Sequence, residues 1–191
     1  MIVLSKESIS FLINRNIIII GFMGSGKSFL GDILTRELKM PLIDTDKLIE
    51  QQQNKSIYDI FKDDGEMFFR KCEKRIIENI VFSYKENETN PSIIVTGGGT
   101  ICPNLIRRLL KNINPFYICL NPPFETILSR IRGTQRPLIY KRKREYIFKL
   151  WANRYSLYQN TADIILTDIE IEKIMCNLNL KIPLVTKKGR R

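Results

Sequence analysis

The run Gly21-Phe-Met-Gly-Ser-Gly-Lys27-Ser28 has the residue types and spacing of a loop that wraps phosphate groups. Its glycines let the backbone turn tightly, so its N–H groups and the start of the next helix face an anion. Lys27 offers a point charge to β- and γ-phosphates, and Ser28 offers a hydroxyl to a magnesium ion. The context is right: a β-branched run, Ile17 to Ile20, precedes the loop, and helically spaced apolar residues follow it. The bland alternative is a glycine turn that binds nothing.

Three further constellations lie downstream. Asp44 and Asp46 flank Thr45 at the end of a short apolar run. At a loop entry both can reach one cleft with different tasks, one toward magnesium and one toward an acceptor hydroxyl. The alternative is an acidic loop that caps the following helix. Gly65-Glu66 leads into Phe69, Arg70 and Glu73. Arg70 and Glu73 are three apart on a helix and can pair. An arginine held by a carboxylate is a fixed fork for a substrate carboxylate, and a surface ion pair is the alternative. Gly97-Gly-Gly99 follows a buried strand. Three glycines there imply close backbone approach, with N–H donors for an anion. A plain turn rarely needs three.

Alternating elements must position these groups. Apolar runs predict strands over 17–20, 41–43, 93–96, 116–120 and 164–166. Helical spacing predicts helices over 28–39, 47–53, 68–82, 105–110, 125–130, 146–158 and 169–178, with another begun at Ser56 and a break at Gly65. Residues 85–92 read as a polar loop. Residues 132–144 are basic, broken by Pro137 and poor in apolar anchors, which predicts a mobile flap. This alternation predicts a parallel sheet with helices on both faces. In such folds ligands bind beyond the carboxyl ends of the strands, where the glycine loop, the Asp-Thr-Asp pair and the triple glycine fall.

Composition narrows the chemistry. The 191 residues suit a single domain, and 43% are hydrophobic, which excludes disorder. No apolar run approaches the ~20 residues of a membrane span, and no signal peptide is expected. The chain has no histidine, so histidine-ligated metals, histidine bases and Cys-His nucleophiles are excluded. Cys72, Cys102, Cys119 and Cys176 form no CxxC pair and suit a reducing cytosol or organelle lumen, each reading as a small core residue. The net charge of +11 raises nucleic-acid binding as a rival reading. The charge is dispersed, however, with denser groups at Lys141 to Arg144 and Lys187 to Arg191, and the latter reads as a solvated tail without interleaved aromatics. An anion-handling enzyme without a nucleic-acid partner is therefore expected.

Taken in order, Gly21 to Ser28, Asp44-Thr-Asp46, Gly65-Glu66…Phe69-Arg70…Glu73, Gly97 to Gly99, Arg136-Pro-Leu138, and Arg154 with Leu157-Tyr158 and Ala162-Asp163 resemble the shikimate kinases. The resemblance spans about Asn16 to Leu178. It implies a three-layer α/β/α P-loop kinase fold with a five-stranded parallel sheet, a substrate-binding helical segment (about 47–85) and a mobile lid (about 130–145), in one domain ending in a basic tail (181–191). It also implies transfer of the ATP γ-phosphate to the shikimate 3-hydroxyl, with Mg²⁺, by a cytoplasmic monomer of aromatic amino acid biosynthesis. By position, Lys27, Asp46 and Arg136 would be catalytic. ATP would meet Gly24, Ser25, Gly26, Lys27, Ser28, Phe29, Arg132 and Arg136, with Arg132 stacked on adenine. Asp46, Arg70, Arg154 and the backbone of Gly98 and Gly99 would hold shikimate, Glu73 would orient Arg70, and Phe61 and Phe69 would line the ring. Ser28 and Asp44 would reach magnesium. Phe29 departs from the threonine usual in the family, and the segment between Pro137 and Arg154 is short and unusually basic. A related kinase for another small polyol acid, such as gluconate, is the alternative.

Overall fold

Four consecutive isoleucines decide the centre of the molecule. Strand β1 (Asn16–Gly21) is buried along its whole length. Because side chains alternate across a strand, Ile17 and Ile19 face one way and Ile18 and Ile20 the other. The first pair packs with Leu30, Ile33, Leu34 and Val95. The second packs with Ile76, Ile77, Ile80 and Ile94. Each isoleucine taken fully out of water contributes roughly 1.5–3 kcal/mol. A strand this apolar on both faces is stable only in the middle of a covered sheet.

The computed structural model describes residues 13–86 and 90–167. The expected helix over 169–178, the basic tail (181–191), Cys176, residues 87–89 of the polar loop and the extension before residue 13 lie outside the described residues.

After β1 come α1 (Lys27–Leu38), β2 (Leu42–Asp44), α2 (Thr45–Gln53), α3 (Ile57–Asp63), α4 (Gly65–Glu86), β3 (Ile93–Val95) and α5 (Asn104–Leu110). A 3₁₀ turn (Lys111–Ile113), β4 (Pro115–Leu120), α6 (Phe124–Ile131), α7 (Arg144–Thr161) and β5 (Ile164–Leu166) complete the described chain. The five strands form one sheet in the order β2-β3-β1-β4-β5, and every pairing is parallel. Helix α1 covers one face, while α4 to α7 cover the other. This is the expected three-layer architecture.

Asn16 clamps the entrance of the sheet. Its buried amide donates to the Ile113 carbonyl at 2.7 Å and accepts from the Ser92 N–H at 2.9 Å. One side chain thereby aligns β1 with the starts of both neighbours, β3 and β4. At the opposite, carboxyl ends of β1, β2 and β3 lie the glycine loop, the two aspartates and the triple glycine. No described helix is long and apolar enough to cross a membrane.

Candidate active site

The glycine loop leaves β1 with Gly21, Gly24 and Gly26 at φ of 142°, 79° and 100°. Gly26 caps α1 in the left-handed region, and no side chain caps that helix. Its neighbours differ: Asp44 caps α2 and Ser56 caps α3. The N–H groups at the start of α1 are thus left for an anion, which the helix dipole favours. Lys27 is buried and its Nζ donates to the Phe22 carbonyl at 3.0 Å. Burial lowers its pKa to about 8, with Arg136 adding to the drop and Asp46 opposing it.

Asp44 satisfies both readings of the aspartate pair. Its Oδ1 accepts from the N–H groups of Asp46 and Lys47 at 3.1 and 3.3 Å, which caps α2. Its Oδ2 accepts from the Ser28 hydroxyl at 3.4 Å. A hydroxyl and a carboxylate this close are hard oxygen donors of the kind magnesium takes. Among the described residues no cluster of three or more acidic or thiol groups could hold an ion unaided.

Asp46 starts α2 but points into the site. Its Oδ1 is buried and has no hydrogen-bond partner in the protein. Burial first, and then the like charge of Glu73, raise its pKa to about 6 against the pull of Lys27. A buried acceptor without a donor is costly unless a ligand supplies one. A hydroxyl of an acceptor substrate would do so.

The wall opposite is braced. Arg70 donates from Nη1 to Glu73 Oε2 at 2.5 Å, and from Nε and Nη2 to Glu66 Oε1 at 3.2 and 2.8 Å. Burial works against the Arg70 charge, but the Glu73 and Glu66 carboxylates outweigh it and hold the pKa above the usual value. Glu73 is buried, and its Oε1 accepts from the Thr100 hydroxyl at 2.6 Å. The triple glycine threads between these groups. A Cβ on Gly97 would sit 2.7 Å from Asp46 Oδ1, and one on Gly99 would sit 2.8 Å from Arg70 Nη1. Close approach, the reason inferred for this motif, holds at both ends. The Gly97 N–H donates to Thr45 Oγ1 at 3.2 Å. The Gly98 carbonyl accepts from Arg154 Nη1 at 3.2 Å and from the Tyr158 hydroxyl.

These groups surround a cavity of about 420 Å³, within the range of small-ligand sites. Asp46, Arg70, Gly98, Gly99 and Arg136 line it, as do Phe61 and Phe69, whose rings meet at 4.7 Å. Lys27, Ser28 and Arg154 are not in its wall; Arg154 reaches it through the carbonyl of Gly98, which lines it. Gly24, Ser25 and Gly26 form the turn of the loop itself. Phe29 is 53% exposed and Arg132 is exposed, and neither belongs to the cavity wall. Glu66, Thr100 and Tyr158 were absent from the expected site. Glu66 and Tyr158 each stand four residues from a predicted arginine, on its helix face, so the signal was present.

The flap needs correction. It is not poor in anchors: Ile139 is buried, Leu138 packs on the same core, and Tyr140 meets Tyr58 edge-on at 6.0 Å. Arg144 pairs with Glu125. The apolar run Pro137-Leu-Ile-Tyr140, hidden among basic residues, ties the segment to α3 and closes one side of the cavity.

Comparison with known proteins places this geometry. The family model described as shikimate kinase matches residues 23–179. A shikimate kinase of Persephonella marina is 39% identical over 151 residues, covering 78% of this chain and 87% of that protein. The chain belongs to the shikimate kinase family. A second shikimate kinase, from Clostridium botulinum, is 37% identical over 175 residues, 90% of this chain and 93% of its own length. Among solved structures, the shikimate kinase of Acinetobacter baumannii in complex with shikimate superposes with a TM-score of 0.74 at 26% identity, covering 91% of this chain and 98% of that one. The shikimate kinase of Aquifex aeolicus gives 0.69 at 30% identity, over 86% and 96%. Family membership makes the chain a phosphotransferase of the P-loop kinase fold, as its loop and sheet order indicate independently.

Proposed function

We propose that this chain moves the γ-phosphate of ATP to the 3-hydroxyl of shikimate, giving shikimate 3-phosphate and ADP for aromatic amino acid biosynthesis. The observation that carries the reading is the single cavity in which an orphaned, buried Asp46 oxygen faces a guanidinium braced by two carboxylates. A ligand with hydroxyls at one end and a carboxylate at the other satisfies both.

In this reading Arg70 and Arg154 hold the acceptor carboxylate, with Gly98 and Gly99 contributing backbone, and Phe61 and Phe69 pack on the ring. Asp46 accepts a hydrogen bond from the acceptor hydroxyl and takes its proton as the new P–O bond forms. Its pKa of about 6 leaves it ionised at pH 7 yet basic enough for that role. The glycine loop, from Gly24 to Ser28, cradles the phosphates of ATP. Lys27 gives up the Phe22 carbonyl for phosphate oxygens, whose negative charge favours its protonated form further. Arg136 approaches the transferring group from the lid and helps exclude water. Phe29 and Arg132 border the nucleotide outside the cavity, with Arg132 toward adenine. Ser28 and Asp44 would hold Mg²⁺, which when bound neutralises phosphate charge. The substrate segment (about 47–85) and the lid (about 130–145) are parts of one domain. Every group named lies in one chain, so a monomer suffices.

An ATP-coupled assay with shikimate, quinate and gluconate tests reaction and acceptor together. Turnover of shikimate with kcat/KM at least tenfold above the other two is expected. Preference for gluconate, or ATP turnover indifferent to all three, overturns the reading.

A further inference from the structure

Arg154 and Tyr158 stand four apart on α7 and so share one face of the helix. Both donate to the same atom, the Gly98 carbonyl, which lies 56 and 60 residues away in sequence. Tyr158 is 3% exposed. A phenol that deep normally needs a partner, and this one donates its proton to a glycine carbonyl of the backbone.

The atom it holds matters because of what lies across the peptide. The peptides of this protein are trans among the described residues. A trans peptide points its carbonyl and the following N–H to opposite sides. With the Gly98 carbonyl drawn toward α7, the Gly99 N–H points away from α7. Gly99 lines the cavity, and the Arg70 guanidinium lies against its Cα. A peptide between two glycines turns over at little steric cost, since neither residue resists positive φ. Packing cannot hold it by side chains, for it has none. Its orientation therefore depends on what grips the carbonyl.

We infer that Tyr158 is a positioning residue for the acceptor. Its buried hydroxyl pins the Gly98–Gly99 peptide so that the Gly99 N–H is presented beside Arg70 to the substrate carboxylate. Arg154 alone does not do this work, because its Nη1 bond to the carbonyl competes with its own service to the ligand. When the arginine turns toward a carboxylate, Tyr158 keeps the peptide in place. Burial pushes the Tyr158 phenol well above its usual pKa, so it remains a donor throughout the working pH range.

This inference rests on the shikimate reading, and its test separates the two. Tyr158→Phe keeps the ring and deletes one O–H. The expected result is a KM for shikimate raised about five- to tenfold, the effect of losing one oriented neutral hydrogen bond, with kcat within twofold and the KM for ATP unchanged. Shikimate with its carboxylate reduced to a hydroxymethyl group should bind wild type and variant equally. In ¹⁵N spectra, shikimate should shift the Gly99 amide proton of the wild type downfield and leave it nearly unmoved in the variant. An unchanged KM for shikimate, an equal loss for the reduced analogue, or an equal loss for ATP overturns the role of Tyr158. Failure of the wild type to phosphorylate shikimate overturns the functional reading instead.

Discussion

The acceptor wall of the cavity and its lid wall are built in opposite ways. The acceptor wall is cross-braced: Thr100 holds Glu73, Glu73 and Glu66 hold Arg70, and Tyr158 and Arg154 hold Gly98. Its groups are in position before any ligand arrives. The lid wall carries its cation, Arg136, exposed, and the segment is tied down by apolar contacts three and four residues further on. The difference matches two chemical needs. Recognition of a rigid acid depends on fixed donors, because any reordering subtracts from affinity. Charge compensation of a transferring phosphate is needed only while that phosphate is present and water is shut out.

Perturbing each wall separately tests this division. Arg136→Ala should have the largest effect, lowering kcat by ~10³-fold or more, since an arginine on transition-state charge contributes up to ~10⁵-fold in related systems. Shikimate dissociation, measured by calorimetry, should stay within about threefold. A matched loss in binding would mean the lid also serves recognition.

Asp46→Asn comes next, with kcat down by ~10²-fold or more. Its pH behaviour is diagnostic. Wild-type kcat/KM should fall as pH drops through about 6, where Asp46 takes a proton, and again as pH rises through about 8, where free Lys27 loses one. The variant should lose the acid limb, and its basic limb should move to lower pH, because Asp46 no longer supports the Lys27 charge. Stability should move the other way. The folded pKa of Asp46 lies above its unfolded value of 3.8, so the ionised group disfavours the fold above pH 6 and not below pH 4. Melting temperature should therefore rise by a few degrees for Asp46→Asn at pH 7.5, and not at pH 4. A fall at pH 7.5 would contradict the burial argument.

The two carboxylates on Arg70 should differ in effect by about threefold or more. Glu73→Gln takes the buried carboxylate from a half-buried guanidinium, and should raise the shikimate KM about tenfold and cost ~1–3 kcal/mol of stability. Glu66 is half-exposed, and Glu66→Gln should change KM by no more than about threefold. Equal effects would mean that burial does not distinguish the braces.

The smallest effect belongs to the lid anchor. Tyr140→Ala removes an aromatic pair with Tyr58 that contributes ~0.5–1.5 kcal/mol. Exchange of amides over 132–144 should quicken several-fold, with kcat lowered two- to threefold. Unchanged exchange would show that Ile139 alone holds the segment.

Local pattern made much of this legible in the sequence. The isoleucine run was read as a central strand, and β1 differs from the expected 17–20 only by its flanking residues. The helix expected over 68–82 begins earlier, because Gly65, read as a break, is instead its first residue, entered at positive φ. Asp46, Arg70 and the glycines were found because each motif carries its spacing within a few residues. What stayed hidden has partners far along the chain. Nothing near Tyr158 points to a carbonyl 60 residues earlier, and nothing near Ile139 distinguishes a buried anchor from a basic loop. Those contacts exist only once the sheet has brought α7 and α3 to the same end.

The amide clamp of Asn16 has a consequence for how the chain is made. Its two backbone partners lie 76 and 97 residues downstream. At roughly 5–20 residues per second, synthesis reaches the first about 4–15 s after Asn16, and the second about 5–20 s after it. Through that interval the isoleucines of β1 have neither neighbour to pair with. The strand at the centre of the finished sheet is thus the one that waits longest during translation, and on the ribosome it is the segment with most need of a chaperone's cover.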